Sequence, residues 1–444
     1  MKKIASQSLK IPRKLGLFTA TCLIVGNLIG MGVFILPSAL ASLGVLGLFG
    51  WGITTVGALS LALIFAFLAQ HMSAEGGIYA YSRAAFGDYV GFQVAWNYWI
   101  ASWTGNTAFV ISIPAYLSIL WPELNDNHNL SLCVSLGILW AIVGMQCLGI
   151  KQAAIFQNIS TVLKLIPLIL IPVVGIFYIK AEHFSFSHID PSLSVSKALA
   201  EASILTIWAF IGIESATIPA QSIKNPKKTI PRATVIGTLL TAVVYILGAV
   251  AILGVVGPEA LQGTKAPYAV AAGQIFTQFP VRWIEMFVAC GAVISGVGCL
   301  NGWVLLQAQM PFAASKDGLF PKFFERGFYK GTPIYGLIFS SILVSILLLM
   351  SQSKSLIHQY VFVVKISTLC MLVAYIYPTV SSLILLKSPS KLSFFGYLSL
   401  VIIGMSYILW AMFGAGAEIV CYNALFFFGS TPLYYWIQKR KKNS

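Results

Sequence analysis

Polar residues and glycines interrupt two of the long apolar segments of this chain. Residues 26–32 read Gly-Asn-Leu-Ile-Gly-Met-Gly, in the middle of the first segment. Glu214 lies near the centre of the sixth, in the stretch 208–215. Glycine weakens a helix interior by about 1 kcal/mol relative to alanine, and an unpaired polar side chain in hydrocarbon is costly as well. Both segments are therefore weak as helices. This free-energy cost suggests that the glycines and polar residues have a function.

A helix broken at residues 26–32 frees N–H and C=O groups that a continuous helix would bond. Such irregular backbone is tolerated at membrane depth only where it lines a cavity or is buried in protein. The freed groups suit an amino acid, with its carboxylate on the N–H groups of a half-helix N-terminus and its ammonium on free carbonyls. The alternative is a close helix-packing face, since Gly26 and Gly30 have small-xxx-small spacing.

The composition indicates a membrane protein. Of the 444 residues, 58% are hydrophobic and only 9% are charged, whereas soluble domains carry about 25% charged residues. Segments long enough to span a bilayer lie at 15–38, 44–70, 89–120, 130–149, 153–179, 198–221, 233–256, 281–313, 333–351, 358–386, 393–413 and 416–437. The sequence therefore predicts an all-α polytopic membrane protein with twelve transmembrane helices.

The two interrupted segments suggest an internal repeat. They are the first members of two five-helix halves, 15–179 and 198–386. An odd number of spans inverts the second half relative to the first, and interrupted helices in matching places of inverted halves indicate a transporter site. We expect a core at 15–392 with broken helices 1 and 6, helices 11 and 12 at 393–437, and tails at 1–14 and 438–444.

The basic residues give an orientation. The net charge is +15, and most of the 28 Lys and Arg fall in alternate loops and in both tails, including the stretches 224–232 and 439–442. The positive-inside rule then places both termini in the cytoplasm, with the chain embedded in the lipid bilayer of the cell's inner (plasma) membrane. The positive charge therefore indicates which loops are cytoplasmic. No nucleic-acid partner is predicted, because the chain offers no soluble basic face.

Within the predicted spans we single out three ionisable residues, Lys164, Glu214 and Lys365. Intramembrane ionisable groups mark function by default. Lys164 lies about 16 Å deep, near the midplane, where a functional role is favoured over reaching the headgroups. For Lys365, about seven residues into its span, a functional role and a structural one, by snorkelling or packing, remain equally open.

Five stretches together resemble the amino acid–polyamine–organocation superfamily. They are residues 26–40 (GNLIGMGVFILPSAL), 76–87 (GGIYAYSRAAFG), 208–215 (WAFIGIES), 224–234 (KNPKKTIPRAT) and 316–321 (KDGLFP). Within that superfamily the chain is most similar to the bacterial basic amino acid/polyamine antiporters, above all to the arginine/agmatine antiporter branch. The likeness follows the whole chain in order.

The resemblance implies roles for particular residues. The substrate backbone would lie on the unwound part of span 1 and the side chain in a pocket of span 3, closed by tryptophans of spans 6 and 8 and above an inner gate. The implied substrate-binding residues are Asn27, Leu28, Gly30, Met31, Gly32, Ala101, Ser102, Asn106, Phe109, Trp208, Ile211, Trp303 and Ser367, and the implied gate is Tyr98, Glu214 and Tyr375. Two tryptophans suit a cationic ligand, since cation–π contacts contribute up to about 2 kcal/mol when desolvated.

Departures from the antiporter pattern leave the substrate open. Met31 stands where that pattern has a small hydroxyl residue, Phe109 replaces a methionine and Ser102 replaces a cysteine. Lys164 stands where the pattern has a small residue, and it is similar instead to the span 5 lysine of proton-coupled permeases in the superfamily. A lysine there can gain and lose a proton in each transport cycle.

Two transport functions follow. The first is an antiporter that exchanges a cationic, arginine-like amino acid for a related amine or amino acid by alternating access. The second is a proton-coupled permease for neutral amino acids that uses Lys164. A third class, a receptor that binds an amino acid without transporting it, is disfavoured because it would normally carry an output domain, and the sequence shows none. No catalytic or metal-binding motif is present, so we expect no enzyme, cofactor or metal. The resemblance also implies a possible homodimer through helices 11 and 12.

Overall fold

The structure, a computed structural model, describes residues 15–72, 74–186, 194–350, 356–385 and 391–442. The predicted N-terminal tail at 1–14 and the last two residues of the predicted tail at 438–444 lie outside these ranges. The described chain is mainly helical. Its one small sheet pairs β1 (Phe328–Tyr329) with β2 (Thr332–Pro333) in antiparallel register.

Seventeen α-helices run through the described residues. They are α1 (Leu17–Leu28), α2 (Gly32–Ala39), α3 (Val45–His71), α4 (Ile78–Phe86), α5 (Asp88–Leu120), α6 (His128–Cys147), α7 (Ile150–Gly175), α8 (Val195–Trp208), α9 (Pro226–Val256), α10 (Pro258–Leu261), α11 (Pro267–Ile275), α12 (Val281–Lys316), α13 (Ile334–Met350), α14 (Leu356–Ile384), α15 (Lys391–Phe413), α16 (Ala417–Gly429) and α17 (Thr431–Lys442). Short 3₁₀ turns lie at Ala41–Leu43, Pro122–Leu124, Ile176–Tyr178, Ala181–Phe184, Ala220–Ser222 and Lys322–Glu325.

Eight helical segments of the described chain are long and apolar enough to cross a membrane. They are Leu17–Ala39, Val45–His71, His128–Cys147, Ile150–Tyr178, Pro226–Val256, Val281–Lys316, Tyr360–Ile384 and Phe394–Phe413, and Ile334–Met350 is a shorter apolar helix. The set omits the predicted spans at 89–120, 198–221 and 416–437. Helix α5 is long but carries many buried polar side chains. The span at 198–221 is helical only as far as Trp208.

The last predicted span, 416–437, is divided in two. Helix α16 ends at Gly429 and α17 begins at Thr431. Pro432 lies in the first turn of α17, where a residue without a backbone N–H loses no helix bond. Helix α17 then continues to Lys442 through residues that the sequence analysis assigns to the tail.

The first interruption lies where the sequence predicts it. Helix α1 ends at Leu28, and Ile29 is extended, with φ −82° and ψ 90°. The backbone returns to helical angles at Met31, and α2 starts at Gly32. Each of α1 and α2 is too short to cross a bilayer alone, so together they form one broken segment.

The second interruption begins after Trp208, where α8 ends. Residues 209–219 continue as successive turns without regular helix. Gly212 has φ +122°, a conformation that other residues rarely adopt. The glycine of the WAFIGIES stretch is therefore required by the backbone.

The helices around α1 and α2 have polar inner faces. Helix α7 buries Gln157, Ser160, Thr161 and Lys164, which are spaced to share one side of the helix, and exposes Ile159, Leu163 and Ile166 among other apolar residues. Helix α5 packs against α12 and α14, and α1 packs against α7, α9 and α12. The polar faces thus meet inside the bundle, and apolar faces remain outside for lipid.

Backbone bonds join three segments near the end of the second interruption. Leu15 N–H donates to the Ser222 carbonyl and Lys224 N–H donates to the Leu15 carbonyl, both at 2.8 Å. Gly76 N–H donates to the Ile218 carbonyl at 3.1 Å. The chain from 218 to 224 is therefore bonded on one side to the start of α1 and on the other to the approach to α4.

Candidate substrate site and gates

Every residue that the sequence analysis names as binding or gating is buried. Most of them lie around the two interruptions, on α1, α2, α5, α7, α8, α12 and α14 and on the turns after α8. They were named from six separated stretches of chain: 27–32, 98–109, 164, 208–214, 303 and 367–375.

Lys164 joins the two sides of the first break. From α7, its Nζ donates to the Gly26 carbonyl at 2.8 Å and also to the Ile29 carbonyl. One turn earlier, Thr161 Oγ1 donates to the Cys22 carbonyl at 3.2 Å. Carbonyls left open at a helix end need donors, and at this break a fully buried ammonium supplies two of them.

Side chains also occupy the other carbonyls of the break. Ser295 Oγ donates to the Gly30 carbonyl at 3.0 Å, and Tyr245 OH donates to the Leu28 carbonyl at 2.5 Å. The Asn27 carbonyl accepts from Trp303 Nε1 at 3.1 Å and from Cys299 Sγ at 3.2 Å. The carbonyls of residues 26–30, where a substrate ammonium was expected, therefore already have donors from the protein.

The N–H groups at the start of α2 are different. Among the described residues, those of Met31, Gly32 and Val33 meet no acceptor. They stand at the positive end of a helix of eight residues. The Met31 side chain lies towards α12, with its Cε 3.6 Å from a Cβ placed on Gly296. The break thus has its carbonyls bonded and its N–H groups available, an arrangement suited to a carboxylate.

The second interruption supplies available acceptors. Tyr245 OH, which reaches Leu28, also donates to the Ala209 carbonyl at 2.9 Å. Within the described chain, the carbonyls of Phe210 and Ile211 receive no hydrogen bond. They are available as acceptors for an ammonium group.

Aromatic rings surround the start of α2. Trp208 and Phe109 have ring centroids 5.4 Å apart. A Cβ on Gly32 would lie 3.1 Å from Tyr360 OH and 3.3 Å from Trp208 Cδ1, and one on Gly105 would lie 2.7 Å from Trp208 Cη2. Glycines at 32 and 105 thus let the Trp208 ring lie against both backbones. Such a wall can hold an apolar stem or a cation.

The predicted side-chain pocket on α5 has few free polar atoms. Ser102 Oγ donates to the Tyr98 carbonyl at 2.7 Å, and Ser367 Oγ donates to the Ala101 carbonyl at 2.6 Å. Asn106 Nδ2 donates to Gln307 Oε1 at 2.7 Å, but Asn106 Oδ1 has no hydrogen-bond partner in the described structure. The amide oxygen of Asn106 is the acceptor that this pocket offers.

The predicted inner gate assembles around Glu214. Tyr98 OH donates to Glu214 Oε1 at 3.0 Å, and Tyr375 OH donates to Glu214 Oε2. The three residues come from α5, the turns after α8, and α14, and each is fully buried. Tyr98 also stacks on Trp303, with centroids 6.1 Å apart. One carboxylate therefore joins three segments beneath the tryptophan.

Asn27 links the two interruptions directly. Its Nδ2 donates to Ser215 Oγ at 2.9 Å. A Cβ on Gly302 of α12 would fall 1.8 Å from Asn27 Oδ1, and one on Gly212 would fall 3.3 Å from Asn27 Cβ. The asparagine thus occupies a space that exists because two neighbouring residues are glycines.

Gly302→Ala should displace the Asn27 side chain and lower transport about tenfold, while the protein still folds. The lost Asn27–Ser215 hydrogen bond contributes on the order of 1 kcal/mol, and the displaced group is the end of a flexible side chain. Transport by reconstituted protein is the measurement. Gly144→Ala on α6 is the control, since its Cβ would meet nothing within 4 Å. Equal transport in the two variants would contradict this role of Asn27.

Comparison with known proteins identifies the family. The profile of the amino acid permease family matches residues 15–437, nearly the whole chain. The chain belongs to this family. The permease is 32% identical over 433 residues to the arginine/ornithine antiporter of Pseudomonas aeruginosa, covering 94% of this chain and 89% of that protein. The family resemblance read from the sequence is thereby confirmed.

Two further relatives come from Escherichia coli. The permease is 32% identical over 339 residues to the cadaverine/lysine antiporter, covering 76% of this chain and 75% of that protein. It is 28% identical over 431 residues to the putrescine transporter, covering 96% of this chain and 97% of that protein. The similarity extends over most of each protein.

Several residues of the candidate site were not singled out from sequence. Tyr245, Ser295 and Cys299 donate to the break, and Tyr360 flanks Gly32. They are ordinary residue types in apolar helices, and no local pattern marks them. Buried glutamines such as Gln307, in a mainly apolar stretch of α12, do give a detectable signal.

Lys365 has a partner that the sequence analysis did not name. Its Nζ lies 2.9 Å from Glu201 Oε1 on α8, and the two side chains are 17% and 36% exposed. Glu201 is a further ionisable residue within the predicted span at 198–221. The pair connects α14 to the helix that precedes the second interruption.

Proposed function

We propose that this permease is a secondary antiporter that exchanges a cationic amino acid for a related amine or amino acid by alternating access. The observation that carries the proposal is the polarity of the two breaks. Unbonded N–H groups start α2, unbonded carbonyls follow α8, and aromatic rings lie beside both. These groups complement the carboxylate, ammonium and side chain of one amino acid. Relatives named as arginine/ornithine and cadaverine/lysine antiporters support the cationic class.

In this proposal the substrate carboxylate bonds the N–H groups of Met31, Gly32 and Val33. Its ammonium bonds the carbonyls of Phe210 and Ile211. Asn27, Leu28 and Gly30 shape the break. The cationic end of the side chain lies among the tryptophans and Asn106, where a cation–π contact contributes up to about 2 kcal/mol in a dry site. Ala101, Ser102, Phe109 and Ser367 line the same region.

Trp208 and Trp303 close over the substrate, and the Tyr98–Glu214–Tyr375 cluster separates it from the cytoplasm. The tyrosine hydroxyls donate to a carboxylate, which is among the stronger kinds of hydrogen bond. Exchange requires this cluster to open and re-form in each cycle. The proposed gate is therefore both closed firmly and reversible.

For the overall topology we propose twelve transmembrane helices with inverted repeats at 15–179 and 198–386, within a core at 15–392. Both termini, at 1–14 and 438–444, are cytoplasmic, and the protein lies in the cell's inner membrane. Helices in 393–437 lie outside the repeat and suit a homodimer contact. Cysteine-accessibility mapping from each side of the membrane tests this arrangement.

A second function is favoured by one observation. Lys164 is a buried ammonium bonded to both sides of the break. A proton-coupled permease for neutral amino acids could release and rebuild these bonds by deprotonating Lys164. The driving force separates the two proposals, since exchange needs an internal substrate and proton coupling needs a pH gradient.

Purified protein in liposomes should take up labelled arginine, lysine or ornithine strongly only when the vesicles contain an unlabelled cationic amino acid or amine. Uptake is measured at pH 5 and pH 7.5, into preloaded and empty vesicles. We expect at least tenfold stimulation by preloading, because an obligatory exchanger returns only when loaded.

A set of neutral amino acids serves as the comparison in the same vesicles. Uptake of neutral substrates into empty vesicles, driven by an inward proton gradient, would contradict the antiporter and support the second function. Protein-free vesicles with the same contents give the background.

A further inference from the structure

The Asn106 side chain belongs to a buried relay of hydrogen bonds. Asn106 Nδ2 donates to Gln307 Oε1 at 2.7 Å, and Gln307 Nε2 donates to Ser341 Oγ at 3.0 Å. Ser341 Oγ donates in turn to the Leu337 carbonyl at 2.8 Å. The three side chains lie on α5, α12 and α13 and are fully buried.

The relay has a direction. A serine hydroxyl carries one proton, and that of Ser341 is given to a backbone carbonyl, which can only accept. Ser341 must therefore accept from Gln307, which turns the Gln307 amide oxygen towards Asn106. That oxygen can only accept from Asn106 Nδ2. The amide orientation of Asn106 is thus set by the Leu337 carbonyl, which acts through Ser341 and Gln307.

The direction decides what Asn106 presents. With its nitrogen used by Gln307, its Oδ1 is left as an acceptor, and no described group donates to it. A buried acceptor without a donor costs about 1–3 kcal/mol. A ligand group that carries N–H donors removes that cost, whereas a ligand group that is itself an acceptor does not.

The relay lies next to the first break. Phe109, one turn from Asn106 on α5, would meet a Cβ on Gly30 at 2.8 Å. Trp303, one turn from Gln307 on α12, donates to the Asn27 carbonyl. Both members of the Asn106–Gln307 pair are thus one helical turn from residues that contact the break. A substrate seated at the break extends its side chain into this region.

We propose that Gln307, supported by Ser341, is a positioning residue that sets substrate class by holding Asn106 with its amide oxygen free. The site then prefers side chains that end in N–H donors, such as guanidinium or ammonium, over isosteres that end in an acceptor. This inference rests on the proposed function, since it concerns the side-chain end of the same substrate.

Arginine and citrulline test it, because citrulline has nearly the shape of arginine but carries a carbonyl in place of one guanidinium nitrogen. The measured quantity is the ratio of citrulline to arginine concentrations that half-inhibit exchange of labelled arginine. Wild-type protein should prefer arginine by at least tenfold. Gln307→Leu frees the Asn106 amide to rotate, so the ratio should fall about tenfold.

Gln307→Glu keeps an acceptor towards Asn106 and gives up only the donor to Ser341. This variant should keep or raise the wild-type ratio. Ser341→Ala removes the acceptor of Gln307 and should lower the ratio in the same direction as Gln307→Leu, which preserves the test if Gln307→Leu does not fold. Ser345→Ala is the control, because Ser345 donates to the Ser341 carbonyl outside the relay.

The outcomes are separable. A wild-type ratio above ten that persists in both Gln307→Leu and Ser341→Ala overturns the positioning role alone. An equal fall of the citrulline-to-arginine ratio in Gln307→Leu and Gln307→Glu also overturns the positioning role. That result would mean that any change in packing at residue 307 lowers the ratio. Wild-type protein that exchanges arginine and citrulline equally, or exchanges neither, overturns the proposed function together with this inference.

Discussion

Lys164→Met should lower exchange at least about 30-fold and reduce thermal stability. Methionine is of similar length but cannot donate, so the Gly26 carbonyl loses its side-chain donor and the Ile29 carbonyl keeps only Ser295, at 3.3 Å. Each buried carbonyl left without a donor costs about 1–3 kcal/mol. The broken backbone, which presents the N–H groups of α2, then loses its fixed geometry. Exchange in liposomes and thermal unfolding in detergent are the measurements.

Lys365→Met is the matched control. It removes the other lysine of the predicted spans, whose ion pair with Glu201 is partly exposed. Partly exposed ion pairs contribute about 0–1 kcal/mol, so its effect on exchange should stay below about fivefold. Exchange by Lys164→Met within twofold of wild type would show that the lysine does not hold the break. Retained exchange with an altered pH dependence would favour the proton-coupled function.

Glu214→Gln should lower exchange about 10- to 100-fold and increase access to the site from the cytoplasm. The substitution replaces one acceptor oxygen with an NH₂ group, so one of the two tyrosine hydroxyls loses its acceptor. Hydrogen bonds to charged groups contribute about 1.5–3 kcal/mol, and each 1.4 kcal/mol is a tenfold change in an equilibrium. The population with the inner gate closed should fall accordingly.

Cys299 reports on this gate. It is fully buried and bonded to the Asn27 carbonyl at the break. Its rate of modification by a small thiol reagent, followed by mass spectrometry, should rise in Glu214→Gln. Tyr98→Phe removes one of the two hydroxyls and should give a smaller rise, and the double variant should be less than additive because the two residues share one bond. An unchanged rate in Glu214→Gln would exclude the cluster as a gate.

The interruptions and the buried charges could be predicted from the sequence, because each residue involved is unfavourable in a continuous apolar helix. Glycines weaken a helix, and a lysine or glutamate in an apolar run is costly unless it has a partner. Gly30, Lys164 and Glu214 therefore stand out without any knowledge of the fold. The backbone leaves helical geometry at Ile29 and after Trp208, inside the stretches that these residues mark.

The partners of these residues were not accessible. Lys164 bonds carbonyls 135 and 138 residues away, and carbonyls leave no trace in a sequence. The donors to the remaining carbonyls, Tyr245 and Ser295, are common in membrane helices. Which way Asn106 presents its amide depends on Ser341, on a different helix. Such information comes only from packing.

The division of the last span shows a different limit. Hydropathy treats residues 416–437 as continuous, since it measures transfer to lipid and takes no account of missing backbone donors. Pro432 changes neither the mean hydropathy nor the length appreciably, yet the helix ends before it and restarts. Proline alone does not mark such a boundary, since Pro114, Pro167 and Pro378 lie inside uninterrupted helices.

The backbone bonds of Leu15 and Gly76 to residues 218–224 have a consequence for how this end of the molecule responds to its medium. Nearby, Arg83 pairs with Asp88 and Asp317 at 2.7 and 2.6 Å, contacts that added salt weakens. The bonds at 15 and 76 join neutral amides, which carry no charge for salt to screen. The ion pairs of Arg83 at this end of the molecule therefore depend on ionic strength, whereas the backbone hydrogen bonds of Leu15 and Gly76 do not.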